Sequence, residues 1–138
     1  MQLTARGTFD VKLTPQPLAH GEDPARGRMA LDKQFQGDLE ATSQGEMLTG
    51  GVFSTGSAGY VAIEHVQGTL GGRRGAFVLQ HNGTMNRGQP SLTVSVVPDT
   101  GTGELQGLAG TMEVIIEGKA HSYVFDYTLP DGPDGAGG

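Results

Sequence analysis

The sequence contains no cysteine and no tryptophan. Without cysteine there is no disulfide framework, no thiol nucleophile and no thiolate-bound metal. Basic residues are scarce. Nine Lys and Arg stand against fifteen Asp and Glu, for a net charge of −6. A stripe able to neutralise phosphates is missing, so nucleic acid is excluded as the expected partner. The apolar runs are only a few residues long, which excludes a membrane-spanning helix. The opening residues, Met1 to Gly7, lack the apolar stretch of a secretory signal, and a cytoplasmic location is expected. Helical periodicity is nearly absent too.

What the chain has in plenty is glycine, 24 of 138 residues, spread between short apolar runs without a triplet repeat. That distribution implies many turns. The length fits one domain. A barrel domain is expected over residues 1–129. The segment 130–138, built of Pro, Asp, Gly and Ala, is expected to be a disordered tail.

Period two dominates the pattern. Phe9, Val11 and Leu13 alternate with polar neighbours, and so do Met29, Leu31, Lys33 and Phe35. Further strands are expected around Leu39–Met47, Tyr60–Gln67, Ala76–Thr84, Ser91–Val97, Thr111–Glu117 and Ala120–Leu129. The separators carry turn chemistry: Gly50-Gly51, Gly71-Gly72, Arg87-Gly88, Pro98 to Gly103 and Gly118-Lys119. Eight short strands joined by tight turns predict an all-β antiparallel meander. It abolishes its edges by closing into a small barrel, with an open two-sheet sandwich as the alternative. No cofactor is expected. The four histidines are scattered, with no metal-ligand cluster, and the glycines of 68–75 precede no helix that could hold a nucleotide.

The segment Gly101-Thr102-Gly103-Glu104-Leu105-Gln106-Gly107-Leu108-Ala109-Gly110 resembles the glycine-rich signature shared by allene oxide cyclases and plant dirigent proteins. The stretch Tyr60 to Gly83, the opening Ala5 to Leu13 and the phrase Phe35 to Leu48 are similar to a bacterial family of small uncharacterised proteins within the allene oxide cyclase-like barrels. The resemblance implies a barrel whose interior binds a small apolar molecule and steers cyclisation, isomerisation or coupling by shape. It also implies a possible homo-oligomer.

Hairpin register gives the candidate site. A two-residue turn at Gly71-Gly72 pairs Leu70 with Arg73, and so Val66 with Phe77, Glu64 with Leu79 and Ala62 with His81. The face carrying Tyr60, Ala62, Glu64, Val66, Phe77, Leu79 and His81 is the more apolar and is taken as interior. There Glu64 and His81 are diagonal neighbours. They form either a buried acid–base pair, the candidate catalytic residues, or a structural hydrogen-bonded pair, unless Glu64 faces solvent. In the last hairpin, a turn at Gly118-Lys119 sets Ile116 opposite His121, Val114 opposite Tyr123 and Met112 opposite Phe125. Met112, Tyr123 and Phe125 thus join the candidate ligand-binding lining, with the tyrosine hydroxyls alternatively satisfied within the packing. His121, beside the turn, is expected to be exposed. Val52-Phe53-Ser54-Thr55-Gly56 reads as an apolar loop at the rim, and Phe53 is added to the lining. Solvation is the default reading for Glu46, and backbone bonding in its turn for Glu104.

The sequence therefore points to a barrel that binds a small apolar molecule. Three activities fit: a cofactor-free cyclase, isomerase or lyase, a carrier of a hydrophobic ligand, or an oligomeric protein with a filled core.

Overall fold

The structure, a computed structural model, describes residues 2–130, the side chain of Phe53 excepted. The expected tail lies, from residue 131 on, outside the described residues. Eight strands follow one another: β1 (Gln2–Pro15), β2 (Arg26–Gly37), β3 (Leu39–Val52), β4 (Ser57–Leu70), β5 (Arg73–Asn86), β6 (Gln89–Val96), β7 (Ala109–Glu117) and β8 (Ala120–Thr128). Each pairs antiparallel with the next, and β8 returns to β1, so the meander is a closed barrel as the alternation predicts. Two short 3-10 turns, Phe53–Thr55 and Gly103–Leu105, are the only helical pieces among the described residues.

The tight turns set the register. Gly71 and Gly72 have φ of +56° and +84°, and Arg87 and Gly88 +49° and +87°. Two successive positive φ values make the turn whose twist matches that of the strands it joins. The pairs Leu70–Arg73, Glu64–Leu79 and Ala62–His81 follow as expected, and so do Ile116–His121 and Met112–Phe125.

One expected separator is not a turn. β3 runs straight through Gly50 and Gly51, which pair with Gly59 and Ala58 of β4. A Cβ on Gly51 would stand 2.6 Å from the Ala58 Cα, so this glycine serves close strand approach rather than reversal.

The two ends of the barrel differ. At one end Leu39, Leu70, Phe77, Phe125 and Tyr127 fill the interior, sealed by Leu105 and Leu108 from the β6–β7 connection and by Leu129. The Gly101–Gly110 signature is thus a plug that inserts two leucines. Glu104 fastens it, its Oε1 accepting the Arg74 N–H at 3.0 Å. Tyr123 also serves this end. Its hydroxyl accepts the Leu39 N–H at 2.9 Å and has the Gln36 and Leu39 carbonyl oxygens at 3.0 and 3.2 Å to donate to.

At the other end the inward register reaches solvent. Leu13, Leu92 and Ile116 continue the interior rows of β1, β6 and β7, yet are 44%, 42% and 63% exposed. The wall is also thinnest here. β6 and β7 share a single register pair, Ser95–Thr111, whereas every other seam is paired over at least seven residues.

Candidate functional site

Between the packed end and the open end lies a layer of buried polar side chains. Lys33 enters from β2, Ser43 from β3, Glu64 from β4 and His81 from β5, and all four are buried. Lys33 and Glu64 meet across β3, because that strand places small residues between them: Ser43 beside Lys33 and Gly45 beside Glu64. A Cβ on Gly45 would lie 2.7 Å from the Glu64 Cα and closer still to the Ile63 carbonyl oxygen.

Lys33 Nζ lies 3.1 Å from Glu64 Oε2 and donates to Oε1 at 3.4 Å. It also stands 4.9 Å from the centre of the Phe9 ring and 5.6 Å from that of Phe35, two cation–π contacts. His81 Nε2 faces Glu64 Oε1 at 3.7 Å, within ion-pair reach but beyond a hydrogen bond. On the far side of the ring, His81 Nδ1 and the Tyr60 hydroxyl are 3.4 Å apart. Gly83 makes room for that phenol, since a Cβ there would strike the Tyr60 ring.

Burial is the largest influence on Glu64 and pushes its carboxyl upward. His81 and Lys33 together outweigh it and hold the group below the ordinary carboxylate range. Glu64 is therefore ionised at neutral pH. Tyr60 moves the other way: burial first, then the nearby Glu64 charge, raises its phenol, which stays protonated.

Three buried polar atoms in this layer have no hydrogen-bond partner: Ser43 Oγ, Glu64 Oε2 and His81 Nε2. The Lys33–Glu64 Oε2 contact is close, but Oε2 is not hydrogen-bonded, so the ion pair leaves that oxygen's directional capacity unused. Among the described residues no three His, Asp or Glu side chains gather as a metal site.

A family sequence profile, described as "Protein of unknown function (DUF3224)", matches residues 5–127. The chain belongs to the DUF3224 family. It is similar to a crystal structure of a DUF3224 protein of unknown function from Shewanella oneidensis MR-1, with 51% sequence identity and a TM-score of 0.89. That match covers 96% of this chain and 100% of the other. No curated protein matches.

In this DUF3224 barrel the candidate residues separate into two groups. Glu64 and His81 come together, with Ala62 and the half-buried Tyr60 above them toward the open end. Val66, Phe77, Leu79, Met112, Tyr123 and Phe125 lie deeper, in the packed core, where Phe77 stacks on Phe125 with ring centres 5.9 Å apart. The Tyr123 hydroxyl is taken up by the backbone. The Phe53 side chain falls outside the described ones. His121 is not exposed but half-buried, because it points inward and stacks on Phe9 at 5.2 Å.

Lys33 was not among the candidates, although its signal was in the alternation: a lysine in the same register as Leu31 and Phe35. Glu46, by contrast, is exposed on the outer face and paired with Arg28, whose Nε lies 2.8 Å away. Among the described residues no helix is long and apolar enough to cross a membrane.

Proposed function

We propose that the barrel binds a small, largely apolar molecule in its open end and moves a proton on it, as a cofactor-free isomerase, cyclase or lyase. The observation that carries this reading is the trio of buried polar atoms without a hydrogen bond, on Ser43, Glu64 and His81, beneath an apolar mouth. Folded proteins pair nearly all buried polar groups, and those left unpaired cost about 1–3 kcal/mol each. A ligand supplying the missing partners offsets that cost. An apolar wall with a few converging polar groups is also the ordinary composition of a small-molecule site. The resemblance to allene oxide cyclase-like barrels points the same way, as analogy only.

The chemistry follows from the charges. Glu64, held ionised, is the base and takes a proton from a carbon next to the substrate's polarised group. The Nε2–H of His81 donates to the oxygen on which negative charge develops. Lys33 keeps the carboxylate ionised, and Tyr60 holds the imidazole from its Nδ1 side. Positioning in the open end supplies the rest, since an ideally held reactant gains on the order of 7 kcal/mol or more.

One observation favours a second reading, a carrier that binds without turnover. Lys33 already neutralises Glu64, as a purely structural ion pair would. Mass spectrometry decides between them. The protein is incubated with epoxides, enones and aromatic polyenes beside its His81→Gln and Glu64→Gln variants. Conversion lost in both variants while the compound stays bound supports the enzyme. Retention without conversion in the wild type refutes it and leaves the carrier.

A further inference from the structure

We infer that the open end takes up a small apolar anion together with one proton, and that His81 holds that proton. The inference rests on the open end being a ligand site and names the charge of what enters it.

The argument is a charge count over the inward register. In the open half and its floor, β2 contributes Lys33, β4 contributes Glu64 and Tyr60, β5 contributes His81 and β8 contributes His121. The inward positions of β1, β3, β6 and β7 at this level carry no charged side chain. The two fixed charges, Lys33 and Glu64, face each other at 3.1 Å and cancel. Tyr60 stays a neutral phenol. What remains is two histidines, and a histidine adds only positive charge. Any change of charge inside this end is therefore toward positive, within a chain whose net charge is −6.

An incoming cation would meet only a carboxylate already neutralised by Lys33. An incoming anion meets His81, whose buried Nε2 makes no hydrogen bond and faces the already neutralised Glu64 at 3.7 Å, with the Ser43 hydroxyl, also without a hydrogen bond, beside Lys33 as a further donor. Neither half of that pair is favoured alone. A buried imidazolium adds an uncompensated positive charge, and a buried anion adds an uncompensated negative one. Together they restore neutrality: Lys33 and His81 positive, Glu64 and ligand negative. Linkage makes the coupling reciprocal, so the anion raises the proton affinity of His81 and the proton raises the affinity for the anion. His121 sits higher, against Phe9, with no acid beside it among the contacts described, and is the natural control.

Two fluorescent probes of similar shape test this. 8-Anilinonaphthalene-1-sulfonate is anionic at every working pH, and N-phenyl-1-naphthylamine is its neutral counterpart. The sulfonate is expected to displace the neutral probe. Its dissociation constant should rise severalfold between pH ~6.5 and ~8.5, the direction that proton uptake on binding gives. The neutral probe should stay within about twofold over the same range. His81→Gln should flatten the sulfonate profile, and His121→Gln should preserve it. Calorimetry of the wild type in two buffers of different ionisation enthalpy should count close to one proton taken up, which holds the test open if the variant misfolds. A pH-independent sulfonate profile, zero proton uptake, or a pH dependence that survives His81→Gln overturns the inference. Binding of the neutral probe alone overturns it while leaving the ligand site intact. Binding of neither probe at the open end overturns the ligand site as well.

Discussion

Replacing Glu64 by leucine takes away the carboxylate that Lys33 faces at 3.1 Å and leaves the ammonium buried. At an effective dielectric of about 20 the lost attraction is of order 5 kcal/mol. The Phe9 and Phe35 rings contact the ammonium with or without the carboxylate and so leave this difference unchanged, whereas relaxation around the stranded charge reduces it. The expected cost of Glu64→Leu is therefore about 3–5 kcal/mol, the range for removing one partner of a buried pair. For a chain of this size that lowers the melting temperature by very roughly 10–15 °C. Glu64→Gln keeps an acceptor for Lys33 and should cost less, about 2–3 kcal/mol. The decisive variant is the double one. In Lys33→Met with Glu64→Leu no charge is stranded, and stability should return to within about 1 kcal/mol of the wild type or exceed it. Urea unfolding of the wild type, Lys33→Met, Glu64→Leu and the double variant gives the coupling energy directly. If the single changes cost less than about 1 kcal/mol, or if the double variant simply sums them, the two charges do not depend on each other and the account of this layer is wrong.

Acid should expose the same carboxyl. Its folded pKa is lowered, so the stability it adds is complete at neutral pH and is lost as pH falls below the ordinary glutamate value of about 4.3; Glu64→Gln should show a shallower acid loss in a pH series of thermal melts. Tyr123→Phe strips the buried Leu39 N–H of its acceptor and should cost about 1–3 kcal/mol in chemical denaturation. Phe77→Ala, in the packed end, should cost about 3–5 kcal/mol, whereas Ile116→Ala, at the exposed mouth, should stay within about 0.5 kcal/mol. Gly45→Ala drives a methyl into the β4 backbone beside Glu64 and should destabilise by about 1–3 kcal/mol, read by thermal unfolding.

Much of this was legible in the sequence because hairpins carry their own ruler. A two-residue glycine turn fixes every pair along both strands, which is why Glu64 and His81 could be set on one face before any contact was known. Lys33 is not legible in its own strand. A lysine in an apolar row looks like an interruption until its partner is found two strands away, and that partner is reached only because Ser43 and Gly45 are small. Gly50 and Gly51 misled for the opposite reason. A glycine pair signals either a reversal or a close approach, and only the neighbouring strand distinguishes them. The division into a filled end and an open one was not written in any single strand. Leu13 and Ile116 look as apolar as Phe9 and Met112, yet they stand at the end that the Gly101–Gly110 connection does not cover.

The lone rung between β6 and β7 has a consequence for the addition of further strands to the barrel wall. Above Ser95 and Thr111 each strand presents an unpaired edge, and a bare edge is a template on which another chain can add a strand. Pro90 interrupts the row of donors on β6, and Glu113 and Glu117 place carboxylates along β7. These are devices by which sheet proteins discourage such additions, here set beside the one seam that closure leaves weak. Two of the chain's carboxylates thus stand where the barrel is least sealed, and like charge there disfavours strand addition between copies.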